Sequence, residues 1–569
     1  MKNTGLVLLA TASAFNAATA QAAVTISSGP TSNMTCSAGV CTPTAADAVL
    51  NAGDLEGLLA SGNLKVTTTG ARVQANDIRI AAPIAWSSAT TLSLDAYKSI
   101  AIGKPVTVSG SGGVSLVTND GGTSGEFSVS GKGRVTFQTL SGTLTINGAA
   151  YALVRNVTEL AAAIAANPSG NFALAKNCDA SRDGTYATPP VPTVFNGAFN
   201  GLGNTISNLT INDPTENAYV GVFAEIVSGA TLANIRLANE NVTGGSGSSI
   251  SDSTEFIGGL VGYANGGTFA EIFATGVVTG GDYASVGGLV GIGGGALRSS
   301  GTAMSVSNGG LGNAGGLVGG TGGGPVVDSY ATGNVSGTGF VGGLVGFNAY
   351  SPIIHSYAAG QVTSNDQGTY VGGLTGMNDG SAIDRSFSTG AVTCQFVCGG
   401  LVGINGAGGA TSTISQSYAT GSVSSSEGAG GLVGYNMFGA VSDSYAMDGV
   451  SAQTSGGLVG ENVNQGTFPA IARSYAAGAV TGTAGTTGGL IGYDEFASGI
   501  KHAYWDTTTS GIANLSQGAG NVSNDPGIKG LTTAQFQSGL PKGFGAKIWT
   551  ENPDINGGLP YLTANPPVK

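Results

Sequence analysis

Nine times between Leu260 and Leu490 the sequence returns to Gly-Gly-Leu, and that return restricts the chain to a stacked repeat. The leucines are Leu260, Leu289, Leu317, Leu344, Leu374, Leu401, Leu432, Leu458 and Leu490, spaced 26 to 32 residues apart. Gly315-Gly316-Leu317-Val318-Gly319, followed by Ser329-Tyr330-Ala331-Thr332-Gly333-Asn334-Val335-Ser336, shows the unit in full. Its aromatic landmark recurs at Phe273, Tyr330, Tyr357, Phe387, Tyr418, Tyr445, Tyr475 and Tyr504, with Gly301 in its place in the second unit. A valine follows the aromatic at a constant offset, as Val335 follows Tyr330 and Val362 follows Tyr357. The aromatic-to-valine offset is constant and added residues fall only before the Ser-aromatic step or before the next Gly-Gly, so strands keep their length and loops absorb the difference. A period of about 29 residues with three strand-sized segments suits one coil of a β-solenoid, each coil pairing with those ~4.8 Å above and below. Leucine then stacks on leucine and tyrosine on tyrosine.

The glycines of the unit fit a corner that needs either a positive φ or close approach of neighbouring coils. Asn265, Asn348, Asn378, Asn405, Asn436 and Asn462, with Asp494 in the last unit, recur just after the leucine, and their amides can bond from coil to coil as a ladder.

Composition bounds the partners. With 100 glycines among 569 residues, 41% hydrophobic and 9% charged, the chain reads as a repeat protein able to bury a core rather than as a disordered one. A net charge of −12 with only 20 dispersed basic residues argues against nucleic acid. Met1 to Ala22 has the charged start, short apolar run and small-residue end of a secretory signal peptide, so export to the extracellular space or outer cell surface is expected. No later segment offers ~20 uninterrupted apolar residues for a membrane span. Cys36 and Cys41, and Cys394 and Cys398, are close enough to pair as disulfides, leaving Cys178 over. Two distant histidines, His355 and His502, give no zinc set, and neither a metal nor a cofactor is expected.

In order, residues 1–22 read as signal peptide and 23–50 as an entry segment. Residues 51–150 form a strand-rich region of short alternating runs such as Ile78-Arg79-Ile80 and Val106-Thr107-Val108. A connector over 151–194 contains one helix across Tyr151 to Ala166, with Thr158 as N-cap. The solenoid occupies 195–500, and 501–569 caps it, with Trp505, Phe536, Phe544, Trp549 and Tyr561 covering the last unpaired edge. The expected fold is all-β: a right-handed parallel β-helix with an irregular C-terminal cap and one short helix between two strand-rich regions.

The array Gly-Gly-Leu-Val-Gly…Ser-Tyr-Ala-Thr-Gly resembles the GLUG-motif repeats of large secreted bacterial surface proteins. The tail from Tyr504-Trp505-Asp506 to Leu559-Pro560-Tyr561-Leu562 is similar to the segment that closes such arrays, and the N-terminal half resembles filamentous haemagglutinin-type adhesins. The resemblance implies a surface-exposed, adhesin-like binding protein without a catalytic site, directed at cell-surface carbohydrate or at a host or neighbouring cell. Neither an Asn-Pro-Asn-type secretion motif nor a C-terminal membrane barrel is legible.

The alternative is a carbohydrate-active β-helix enzyme, a lyase or hydrolase, which needs carboxylates clustered on adjacent coils. Asp328, Asp384 and Asp443, each before a Ser-aromatic step, are the candidates, with His355, Gln416 and Arg473 at the equivalent places of other coils. A zinc-peptidase His-Glu-x-x-His is missing, and the glycine strings precede no Lys-Ser/Thr, so they are not phosphate loops. A mixed single file of Thr and Ser, including Thr279, Ser307 and Ser336, falls short of an ice-binding array. Function is therefore expected in the variable loops.

Overall fold

The computed structural model describes residues 22–249, 254–364, 369–463, 470–482 and 486–567. The expected signal peptide lies, but for Ala22, outside them. The described chain is a parallel β-solenoid of about 16 turns, rising about 75 Å at one rung per ~4.8 Å.

The coils of the array hold four or five short strands rather than three. In one coil they are Gly339–Gly342, Val345–Ala349, Ile353–Ile354, Tyr357–Ala358 and Val362–Thr363. Each pairs in parallel with its counterpart one coil on, so that Val341 lies beside Val371, Ile353 beside Ile383 and Tyr357 beside Phe387. All nine repeat leucines are 0% exposed inside the coil, where each contributes on the order of 1.5–3 kcal/mol of burial.

The repeat glycines owe their place to close approach, not to backbone conformation. None of Gly315, Gly316 and Gly319 has a positive φ. A Cβ on Gly315 would stand 1.9 Å from Val318 O, and one on Gly316 would stand 2.1 Å from Gly343 O in the next coil. The left-handed corner falls instead on non-glycine residues: Glu271, Ser299, Asp328, His355, Arg385, Gln416, Asp443, Arg473 and His502 share φ between 46° and 56°. Such a conformation costs roughly 1–2 kcal/mol per residue. A buried serine ladder beside it compensates. The amides of Ser300, Ser329, Ser356, Ser386, Ser417 and Ser444 donate to the next serine's Oγ at 3.1–3.3 Å.

The asparagine ladder forms as anticipated, with one correction. Nδ2 of Asn348, Asn378, Asn405 and Asn436 each donates to the next asparagine's Oδ1 at 2.9–3.0 Å, and Asn462 donates to Asp494 Oδ1 at 2.9 Å. Asn265 is exposed and one residue out of register, because Ala264 aligns with Gly293 and through it with Thr321 and Asn348.

Among the described residues three helices appear where one was expected: α1 (Ala52–Ser61), α2 (Val157–Ala166) and α3 (Thr533–Phe536). Asn51 caps α1, accepting from the amides of Gly53 and Asp54, and Asn156 rather than Thr158 caps α2. The residues before α2, Ala149–Val154, form a strand. Leu55 and Leu59 of α1 enter one hydrophobic core, whereas Val157, Leu160 and Ile164 of α2 enter another. Each core thus opens on a ten-residue, Asn-capped helix that covers its first coil.

The two cores share two strands, Ala149–Val154 and Asn171–Leu174. Ala149–Val154 runs antiparallel to Thr143–Ile146 and parallel to Asn171–Leu174. Tyr151, Leu153, Ala173 and Ala175 face the first core, while Val154, Phe172 and Leu174 face the second. Strand direction and interior side invert together, so both solenoids wind with the same hand.

The C-terminal segment divides its work. Trp505 is buried in the second core, and Ile528–Leu531 adds a parallel rung on Ala503–Asp506. Residues 510–525 also close the last coil, Leu490 N donating to Gly518 O and Ala519 entering the core, whereas residues 532–567 do not cap the end but run back along the outside of the solenoid, over the tyrosine file.

Candidate functional site

The aromatic file is outside the coil. Tyr330, Tyr357, Phe387, Tyr418, Tyr445 and Tyr475 stack with centroids 4.9–5.3 Å apart and planes within 10°. Tyr418, Tyr445 and Tyr475 are 0% exposed only because the tail lies on them, with Phe536, Phe544, Trp549, Leu559 and Leu562 completing a separate apolar cluster. Tyr475 Oη donates to Pro560 O at 2.7 Å and Tyr418 Oη to Pro566 O at 3.3 Å. Tyr330 closes over the missing ring at Gly301, its centroid 6.3 Å from that of Phe273. The repeat tyrosines are therefore structural up to the reach of the tail.

The three aspartates are not brought together. Asp328 is an exposed residue 3.6 Å from His355 Nδ1. Asp384 sits one residue out of the corner column, beside Ile354, and Arg385 takes the column position. Its carboxylate accepts from Arg385 Nε at 2.7 Å and from Ser415 Oγ at 2.8 Å. Asp443 is buried against Arg473 (2.6 Å to Nη2) and accepts from Trp549 Nε1 at 3.2 Å. Asp328 and Asp443 stand four rungs apart, about 19 Å at ~4.8 Å per rung, well beyond the ~5–9.5 Å of a hydrolytic carboxylate pair.

The remaining surface feature is a stripe that the linear sequence does not announce. On the first two strands of each coil, the residues alternating with the core positions form two adjacent files, covered at Ser285, Met377, Val397 and Ile404, which are 4–8% exposed. One runs Tyr219, Phe256, Ser285, Asn313, Phe340, Tyr370, Val397. The other runs Glu225, Tyr263, Ile292, Gly320, Phe347, Met377, Ile404, Tyr435, Glu461, Tyr493. The files touch and make two aromatic platforms. Tyr219, Phe256 and Tyr263 have centroids 5.1–5.5 Å apart. Phe340 lies 5.7 Å from Phe347 and 6.1 Å from Tyr370, which meets Phe396 edge-on at 5.4 Å. The platforms are half-buried and three rungs apart, about 14 Å.

Cys394 and Cys398 are joined, and Phe396 rides on the loop they clip; Cys36 is joined to Cys41, and Cys178 is buried and free. Carboxylates flank the second platform. Burial, then Glu461, pushes the Tyr370 hydroxyl up; burial and Glu461 do the same to Tyr435, and burial followed by Glu427 raises Glu461. Alternation within each strand was the signal for these files. It stayed hidden because the outward residue changes identity from coil to coil.

No family model matches the chain. Halomucin of Haloquadratum walsbyi is 38% identical over 86 residues, 15% of this chain and 1% of that protein. An IgA1 protease structure aligns over 58% of this chain and 21% of its own, at 17% identity and a TM-score of 0.32. Among the described residues no helix is long and apolar enough to cross a membrane, and no group of three or more His, Cys, Asp or Glu could hold a metal ion.

Proposed function

We propose that this chain is an exported, adhesin-like β-solenoid that binds surface carbohydrate along the aromatic stripe of its first two strand files. The carrying observation is the pair of half-buried aromatic platforms with Glu427 and Glu461 beside the second. The C–H faces of sugar rings are apolar and lie well on aromatic faces, while carboxylates accept from sugar hydroxyls. Regular rungs suit a polymer, because a ligand with a repeat can meet several rings at once and gain by multivalency. The halomucin similarity supports a surface role and carries nothing finer.

A glycan array tests this. Phe340→Ala with Tyr370→Ala removes two stacking faces worth together about 2 kcal/mol, about thirtyfold in affinity. Leu515→Ala, exposed in the C-terminal segment, leaves binding unchanged. Reduction of Cys394–Cys398, which frees the Phe396 loop, weakens binding too. Equal binding by the double variant would refute the stripe, and release of shortened glycan by the wild type would favour the enzymatic alternative.

A further inference from the structure

The asparagine ladder has a direction. Every Nδ2 donates toward the C-terminal end, and the last, from Asn462, ends on Asp494 Oδ1. There Asp494, 0% exposed, faces Asp525, 4% exposed, within hydrogen-bonding reach. Three of their oxygens, Asp494 Oδ2 and both of Asp525, are buried without any hydrogen-bond partner. No Lys, Arg or His forms an ion pair with either among the described residues. The segment carrying Asp525 is tied to Asp494 from both sides of the backbone: Asp494 N donates to Asn521 Oδ1, and Asn521 Nδ2 donates to Asp494 O, each at 2.8 Å.

We propose that Asp494 and Asp525 together hold a divalent cation of calcium type, which fastens the closing rung to the last coil. Hydrogen-bond accounting favours a cation over a shared proton. One proton between the two carboxyls satisfies one donor and one acceptor oxygen and strands the third, whereas a hard cation engages all three. Calcium takes six to eight oxygens from carboxylates, carbonyls and water and accepts irregular geometry. Carboxylate oxygens without nitrogen or sulfur ligands exclude a soft-metal preference.

The test uses the full chain. Equilibrium dialysis against calcium, in parallel with thermal unfolding at pH 8 with calcium or with EDTA, is run on the wild type and on Asp525→Asn. The wild type binds one more ion per chain than the variant, and EDTA lowers its melting temperature by several degrees, reversibly on adding calcium. The variant melts at one temperature in both buffers. Equal ion counts in the two chains overturn the proposal. So does a wild-type melting temperature indifferent to EDTA. Magnesium alone reproducing the whole shift would overturn the calcium assignment.

Discussion

Replacing Asn405 by alanine cuts the asparagine ladder at its middle. Its side chain accepts from Asn378 Nδ2 and donates to Asn436 Oδ1, each at 3.0 Å, with all three residues 0% exposed. Asn378 keeps a second bond from the same nitrogen, to Ser381 O at 3.2 Å, so the larger loss falls on Asn436 Oδ1. Two buried hydrogen bonds contribute about 1 kcal/mol each, and a buried partner left short costs a further ~1–3 kcal/mol, so about 3–5 kcal/mol is expected. Asn405→Asp should cost more. A carboxylate still accepts from Asn378 but turns an oxygen toward Asn436 Oδ1, and it places an unpaired charge in the core, where several kcal/mol are at stake. The control is Asn265→Ala, in an exposed residue outside the register, expected within about 0.5 kcal/mol of the wild type. Urea unfolding followed by circular dichroism gives the order of the three variants. Because stacked repeats need not unfold in two states, hydrogen exchange at Leu401 and Leu432 gives the local value. If Asn405→Ala is no more destabilising than Asn265→Ala, the ladder does not hold the corner and the reasoning fails.

Two further outcomes follow from the packing. Tyr475→Phe removes a hydroxyl that donates to Pro560 O and accepts from Asn556 Nδ2, so the tail should loosen by about 1–2 kcal/mol and its cleavage by a limiting protease should accelerate roughly tenfold. Tyr357→Phe, on the half-exposed part of the file, should change neither. Burial, then Glu126, pushes Glu271 up to about 7, and burial does the same to Glu255. A carboxyl whose folded pKa is raised stabilises the fold below its unfolded value and loses that contribution as pH rises through about 7. The melting temperature should therefore fall between pH 5 and pH 8, and Glu271→Gln should flatten the fall; an unaltered profile in that variant contradicts the assignment.

The stacked fold was legible because a repeat writes its own register. Val335 keeps its offset from Tyr330 in unit after unit, while added residues fall only before the Ser-aromatic step or before the next Gly-Gly, and coils stacked in parallel satisfy that pattern. The helix α1 was not, since Gly53 and Gly57 lower its propensity and a short segment beside turns reads as loop. Its evidence, Asn51 as cap and Leu55 with Leu59 on one face, becomes visible once a core needs covering. Asp384 was aligned with Asp328 by counting back to a Ser-aromatic step, and a one-residue difference sent it to another column.

By itself the sequence determined the coil, its buried leucines and its asparagine ladder, because these depend on neighbours one period away. Tertiary structure alone decided which side of each strand is outside. It laid residues 532–567 over the tyrosines from Tyr504 back to Phe387, and it drew Tyr370, Phe347 and Phe396 into one platform. The physical reason is that an outward residue has no partner within its own coil to fix its type. It meets rings one rung away or a tail residue such as Pro566, 148 positions from Tyr418, and no local pattern encodes such a contact.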